Sequence, residues 1–291
     1  MKKILITGIN GFLGTHLANH LGQGYEIIGL ANSIKVNSRL IHPDIKIFKS
    51  TDENIDEIFN SNEVFAVIHA ATVYKKKKGS LLPLLRANIE LPLRLYELCN
   101  QYKVKYFINT DTFFNFTNSS YSYLSEYTLS KKQILEWLLA LQESCILVNM
   151  KLYHMYGPYD AESKFIPSII SRIKNNEIAI DLTPGNQKRD FIYVEDVCEA
   201  YAVILKNLDC SENQSVFHEY EVGTGKVTSI KELVEKIKEV SESTSELRFG
   251  KLDYRQNEIM EAVAKNQKIK DLGWKPKTSL DRGLKKIIFN E

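Results

Sequence analysis

Apolar positions in the first 152 residues fall into short β-rich runs separated by stretches with helical spacing. Lys3–Thr7, Tyr25–Leu30, Ile45–Phe48, Val64–His69, Val104–Asn109 and Cys145–Leu152 read as strands. Phe12–Leu21, Leu81–Asn100 and Tyr123–Gln142 read as helices. Strands that alternate with helices pair in parallel through right-handed crossovers, so an α/β, doubly wound parallel sheet is predicted.

After Gly157-Pro158 the pattern changes. Shorter and more mixed elements follow: helices over 164–175, 195–206 and 229–240, with strands near 190–194 and 219–222. The expected division is a first domain over 1–157 and a smaller mixed C-terminal lobe over 158–291, with short segments of the lobe free to return to the first domain.

Composition narrows the function classes. With a net charge of +2 the chain lacks the basic surface that nucleic acid requires. The run Lys75–Lys78 reads as a solvated loop. Cys99, Cys145, Cys198 and Cys210 lie far apart, without the clustering of a disulfide framework or a metal site, so no metal is expected. No segment has about 18 uninterrupted apolar residues, and MKKILITG is too short an apolar run for a signal peptide. The expectation is a cytoplasmic protein with no membrane partner.

The first strand runs directly into Gly8-Ile9-Asn10-Gly11-Phe12-Leu13-Gly14 and then a helix. Glycines at this spacing allow a tight turn, close approach of backbone to a pyrophosphate, and close helix–sheet packing. A Rossmann dinucleotide site is therefore expected, with Gly8, Asn10, Gly11, Phe12, Leu13 and Gly14 as its cradle. The next strand ends in Ala31, Asn32 and Ser33, where NAD-selective sites usually carry an acid. None is present, and Ser33, Lys35 and Arg39 could receive a 2′-phosphate. NADP(H) is favoured, with NAD(H) as the alternative in which Asn32 holds the ribose hydroxyls.

Tyr127 and Lys131 stand four apart on one helix and share a face. A phenol of ordinary pKa is a poor acid or base at neutral pH, and a nearby ammonium would bring it towards working range. This pair is the predicted proton-handling machinery.

TGINGFLG, His69-Ala70-Ala71, Tyr127-xxx-Lys131, KLYHMYGP at 151–158 and QKRDFIYVEDV at 187–197, followed by Arg255 and Leu272-Gly273-Trp274-Lys275-Pro276, resemble the extended short-chain dehydrogenase/reductases, in particular their nucleotide-sugar branch. The likeness implies that Ala70, Ala71, Tyr153 and His154 pass along the dinucleotide and that Lys131 bonds its ribose. It also implies a third catalytic hydroxyl beyond the fifth strand. Thr112 is chosen for that role, with Thr110 left open by a different alignment.

Arg189 and Arg255 match the family's diphosphate and nucleotide contacts, and guanidinium forks suit paired phosphate oxygens. Lys164 and Phe165 match the segment over the base. A nucleoside-diphosphate sugar is the implied substrate. No glutamate accompanies the catalytic threonine, which disfavours dehydration. The pieces FINTDTFF, EYTLSKKQ, KLYHMYGP and QKRDFIYVEDV are similar to the CDP-paratose and CDP-abequose synthase branch, which reduces 4-keto-deoxysugar nucleotides for bacterial surface polysaccharide. Ketoreduction is expected, 4-epimerisation with bound NAD is second, and a non-catalytic dinucleotide-binding partner protein is third. The family further implies a homodimer through the helices at 81–100 and 123–142. Leu84, Leu95, Leu135 and Leu138 fit either that interface or a monomer core.

Overall fold

The computed structural model describes residues 1–35, 38–42, 44–75, 79–115, 123–209 and 215–289. Cys210 and most of the lysine run lie outside the described residues. Two compact units divide the chain: Met1–Thr117, Leu124–Lys151 and Tyr201–Tyr220 form the first, and Asn118–Tyr123, Leu152–Ala200 and Glu221–Glu291 the second. The change of unit thus falls at the end of a strand rather than at Gly157-Pro158, and the chain returns to the first unit over 201–220.

The first unit contains β1 (Lys3–Thr7), α1 (Phe12–Leu21), β2 (Glu26–Ala31), β3 (Lys46–Lys49), α2 (Asp52–Ser61) and β4 (Val64–His69). Next come α3 (Leu82–Leu85), a single π turn (Arg86–Glu90), α4 (Leu91–Gln101), β5 (Tyr106–Thr112) and α5 (Ser125–Ala140). β6 (Ile146–Leu152) closes this series. The sheet has seven strands, of which the seventh comes later in the chain, at Phe217–Val222. Its order is Phe217–Val222, β6, β5, β4, β1, β2, β3. β1 pairs in parallel with β2 and β4, and β4 with β5, so the reversal of strand order lies beside β1. Leu5, Ile28, Val67, Phe107 and Leu147 of the sheet pack with Ile58, Leu95, Tyr96, Ile134 and Leu138 of the helices, all essentially removed from water. Burial of this apolar surface is the main term holding the unit together.

In the second unit lie β7 (His154–Tyr156), α6 (Phe165–Lys174), β8 (Ala179–Leu182), β9 (Lys188–Arg189) and β10 (Phe191–Tyr193), leading into α7 (Val194–Asp209). After β11 (Phe217–Val222) come β12 (Thr228–Ser229), α8 (Ile230–Val240), β13 (Glu246–Phe249), β14 (Glu261–Ala262), α9 (Gln267–Asp271) and α10 (Leu280–Phe289). β9 lies between β12 and β14, β10 pairs with β7, and β13 with β8. Apolar faces of α6, α8 and α10 share one core with Ile180, Phe191 and Tyr193.

The helix predicted over 81–100 is interrupted. Its middle turn is π, and the widened turn carries Asn88, which is fully buried. Periodicity over the whole span masks one extra residue per turn. Leu84, Leu95 and Leu138 are core residues, at most 2% exposed, so they serve the monomer core. Leu81, Leu82, Leu85, Leu129, Trp137 and Leu139 on the same helices are exposed.

Candidate active site

Gly8 ends β1 at φ +66°, a conformation open to glycine. A Cβ there would stand 2.8 Å from the Ala71 backbone, and one on Gly14 would stand 2.2 Å from the Gly8 carbonyl oxygen. Strand, turn and helix therefore meet backbone to backbone. The contact is locked by Thr7, whose hydroxyl accepts the Ala71 amide at 3.0 Å and bonds His69 Nδ1 at 3.0 Å. Burial holds the His69 imidazole neutral, well below its usual pKa, and the Lys131 charge adds to this. The first turn of α1 starts at Gly11 with no side-chain cap and no acidic residue. Its backbone amides are donors of the kind an anion at a helix N-terminus takes up. These residues fit a dinucleotide pyrophosphate: the cradle is shaped by positions where a side chain has no room.

Asn10 reaches across to the end of β2, donating to the Ser33 carbonyl at 2.9 Å and the Lys35 carbonyl at 3.2 Å. Arg39 donates to the Asn10 carbonyl at 3.2 Å, which sets its guanidinium against the glycine turn. Asn32 accepts from the Ser50 hydroxyl at 2.7 Å. Ser33 and Lys35 are exposed.

Tyr127 and Lys131 sit on the buried face of α5, 8% and 2% exposed. Thr112, at the end of β5, has its side chain near enough to the Tyr127 phenol to favour the ionised form. Thr110, the other candidate, bonds Tyr201 at 2.8 Å through its hydroxyl, and its carbonyl accepts Lys131 Nζ at 2.8 Å. The structure thus brings Thr112 to the phenol and turns the Thr110 hydroxyl elsewhere.

One expectation is corrected. The phenol is not drawn down by the ammonium: burial pushes its pKa well above the usual value, and neighbouring Tyr74 reinforces this, while Thr112 opposes it. Lys131 donates to the Thr110 carbonyl and is itself pushed down to about 8 by burial, with the Asp111 carboxylate acting the other way. Burial thus favours the protonated phenol in the structure.

Sequence reasoning assigned no role to three groups around this pair. Asp111 is 2% exposed and accepts the Thr112 amide at 2.8 Å and Asn149 Nδ2 at 3.0 Å. Asn88 on the π turn bonds both backbone groups of Val73, at 2.8 and 3.0 Å, and donates to the Ser130 hydroxyl at 3.0 Å. Tyr74, the residue after Val73, packs on Tyr127. A lone asparagine within an apolar helical period was the one available signal.

In the second unit Arg189 is buried against Glu258 at 2.7 Å. Arg255 lies over the Tyr123 ring, 3.7 Å from its centroid, and its carbonyl accepts the Glu258 amide at 3.2 Å. One turn thus joins the two arginines expected to act together. Tyr153 is buried with its hydroxyl on Glu221 at 2.8 Å. His154 is held neutral, its pKa lowered to about 3, chiefly by burial. Lys164 and Phe165 open α6, with the Phe165 ring exposed. Asp190, fully buried, accepts the Thr224, Gly225 and Ala264 amides and fixes the loop after β11.

Among the described residues no cluster of histidine, cysteine or carboxylate side chains could hold a metal ion, and no helix is long and apolar enough to cross a membrane. Cys99, Cys145 and Cys198 are buried thiols.

The chain matches the NAD dependent epimerase/dehydratase family over residues 4–223. It is 38% identical to a CDP-abequose synthase of Salmonella muenchen, over 99% of this chain and 97% of that protein. A putative UDP-glucose 4-epimerase of Methanocaldococcus jannaschii is 28% identical, over 98% and 97%. Among solved structures, the UDP-glucose 4-epimerase of Thermus thermophilus in complex with NAD superposes with a TM-score of 0.81 at 21% identity, over 99% of this chain and 98% of that one. With a Rossmann sheet, a glycine cradle and a buried Tyr–Lys pair already in place, these matches make the chain an enzyme of the NAD dependent epimerase/dehydratase family, the extended short-chain dehydrogenase/reductases.

Proposed function

We propose that this enzyme reduces the C4 keto group of a nucleoside-diphosphate 4-keto-6-deoxy sugar, on the route to a surface polysaccharide, with NADPH preferred over NADH. The observation that carries the reading is the buried Tyr127–Lys131 face of α5, with Thr112 beside the phenol and Lys131 anchored on the Thr110 carbonyl. The reduced nicotinamide, when bound, supplies hydride to C4. Thr112 and Tyr127 would both bond the keto oxygen, and Tyr127 would give its proton to the alkoxide as it forms. Lys131 would supply positive charge close by and order the ribose. Ala70 and Ala71, at the backbone contact with Gly8, would line the cofactor's path. Arg189 and Arg255 would take the diphosphate, Lys164 and Phe165 the base, and Tyr153 and His154 the nicotinamide end.

The name of the Salmonella relative supports a CDP-sugar substrate. Absence of an acid around Asn32 and Ser33, with Arg39 on the turn, supports NADPH. Exposed Leu82, Leu129 and Trp137 support a homodimer, to be checked by light scattering. Three buried free thiols suit a cytoplasmic setting.

The test is incubation with a panel of CDP-, dTDP-, GDP- and UDP-4-keto-6-deoxy sugars and either reduced cofactor. Stoichiometric loss of nicotinamide absorbance with formation of a C4 alcohol is expected. The M. jannaschii relative favours 4-epimerisation as a second reading, which would show C4 inversion of a sugar nucleotide with no net cofactor consumption.

A further inference from the structure

Arg39 lies 29 residues from Asn10 in sequence, yet its guanidinium donates to the Asn10 carbonyl inside the glycine turn. Burial does little to place the segment that carries it. Ile34 and Ile41 are 63% and 69% exposed, and Ser33 and Lys35 are exposed as well. Hydrogen bonds from two asparagines, one before α1 and one in its last turn, hold the segment instead. Asn10 Nδ2 donates to the Ser33 and Lys35 carbonyls. Asn19 Nδ2 donates to the Arg39 carbonyl at 2.8 Å, and Asn19 Oδ1 accepts the Ile41 amide at 3.0 Å. The backbone carbonyl of Asn19 accepts His42 Nε2 at 3.1 Å.

The Asn19 side chain thus grips the chain on both sides of Leu40, taking one carbonyl and one amide as a neighbouring strand would. Asparagine is a poor helix former, so its place in α1 is explained by what it holds and not by the helix. The grip fixes the Arg39 backbone beside the end of α1, and the side chain runs back to the turn at the other end. A long side chain loses rotamer freedom when it meets a ligand, and a backbone anchored beforehand leaves less to be ordered at that moment. An arginine near the end of the second strand suits the 2′-phosphate of NADPH.

We propose that Asn19 is a positioning residue for cofactor choice: by fixing the backbone of Arg39, it presents the guanidinium to the 2′-phosphate of NADPH. This role rests on NADPH being the preferred cofactor, with Arg39 on its phosphate. Asn19 acts only through Arg39, so its effect has to vanish once that side chain is gone.

The test is fluorescence titration of the intact enzyme with NADPH and with NADH, together with displacement by 2′,5′-ADP and by 5′-AMP. Asn19→Ala should weaken NADPH and 2′,5′-ADP by about tenfold, as expected for the loss of two hydrogen bonds that place one group. NADH and 5′-AMP should change by less than about twofold, and kcat at saturating NADPH should be retained. Asn19→Gln, which keeps the amide but displaces it by one methylene, should show the same selective loss. Added to Arg39→Ala, Asn19→Ala should have no further effect on the NADPH to NADH ratio. NADH binding serves in every variant as the check that the cradle is folded. Equal loss of both cofactors from a folded variant, additive losses in the double variant, or an unchanged ratio in Asn19→Ala beside a collapsed one in Arg39→Ala would each overturn the proposal while leaving the NADPH reading in place. A wild type that binds NADH as tightly as NADPH would remove that reading, and the role of Asn19 with it.

Discussion

Arg189 donates to Glu258 across 2.7 Å, with both side chains less than one-tenth exposed. The guanidinium proposed to meet a diphosphate is thus already paired with a carboxylate from the turn that carries Arg255. Removing one partner strands the other charge. Arg189→Met should cost about 3–5 kcal/mol in urea unfolding, and adding Glu258→Gln should recover most of that loss.

Tyr127→Phe should reduce turnover by about 10²–10⁴-fold while leaving cofactor affinity, followed by fluorescence titration, largely intact. Thr112→Val should cost about 10²–10³-fold in kcat, as expected for one donor to a developing oxyanion. Thr110→Val loses only the Tyr201 bond and should cost about 1 kcal/mol of stability with turnover retained. Equal effects of the two threonine variants on turnover would remove Thr112 from the mechanism.

Lys131 sets a pH dependence. Its ammonium has a folded pKa of about 8 against an ordinary 10.5, lowered by burial, so the folded protein releases this proton before the unfolded chain does. Its contribution to stability should rise with pH between those values, because there the unfolded state binds more protons. Thermal melts should therefore show wild type gaining on Lys131→Met from pH 8 to 10.5. If the charge is needed in turnover, kcat should fall as pH rises through about 8. Asp111→Asn, which removes the carboxylate that supports the ammonium, should move that limb to lower pH.

Cofactor choice is open to a single charge. Ser33→Asp would set a carboxylate at the end of β2, beside the Asn10 side chain that binds the Ser33 carbonyl. Repulsion of a 2′-phosphate should shift the ratio of kcat/KM for NADPH over NADH by at least about tenfold towards NADH. Arg39→Ala should shift it the same way.

Gly14→Ala would set a methyl group 2.2 Å from the Gly8 carbonyl, with backbone on both sides. Expected is a loss of about 3 kcal/mol or more and of dinucleotide binding, read from thermal melts with and without NADPH.

The glycine turn was legible in the sequence because backbone contact leaves a signature in composition: only glycine fits. The Tyr–Lys face was legible because four residues make about one helical turn. The state of the phenol was not, since spacing places an ammonium near it but says nothing of desolvation, the largest influence on the phenol here. Helix α2 passed unnoticed because only Ile55, Ile58 and Phe59 face inward along a largely polar stretch. Strands β9, β12 and β14 are two residues each and too short for any period to show. Tyr74 and Asn88 gain their significance from partners 53 and 42 residues away, which no local pattern contains.

The π turn at Arg86–Glu90 makes the chain length of this helix part of the site. Deleting one residue there would let the backbone relax to ordinary α winding and rotate everything upstream by about 100° relative to α4. Leu84 would swing out of the interior, and an asparagine in the shortened turn could no longer hold both the Val73 peptide and Ser130. Shortening by one residue should therefore harm the enzyme more than replacing any single side chain in that turn other than Asn88, so its residue count, more than its composition, is what has to be preserved.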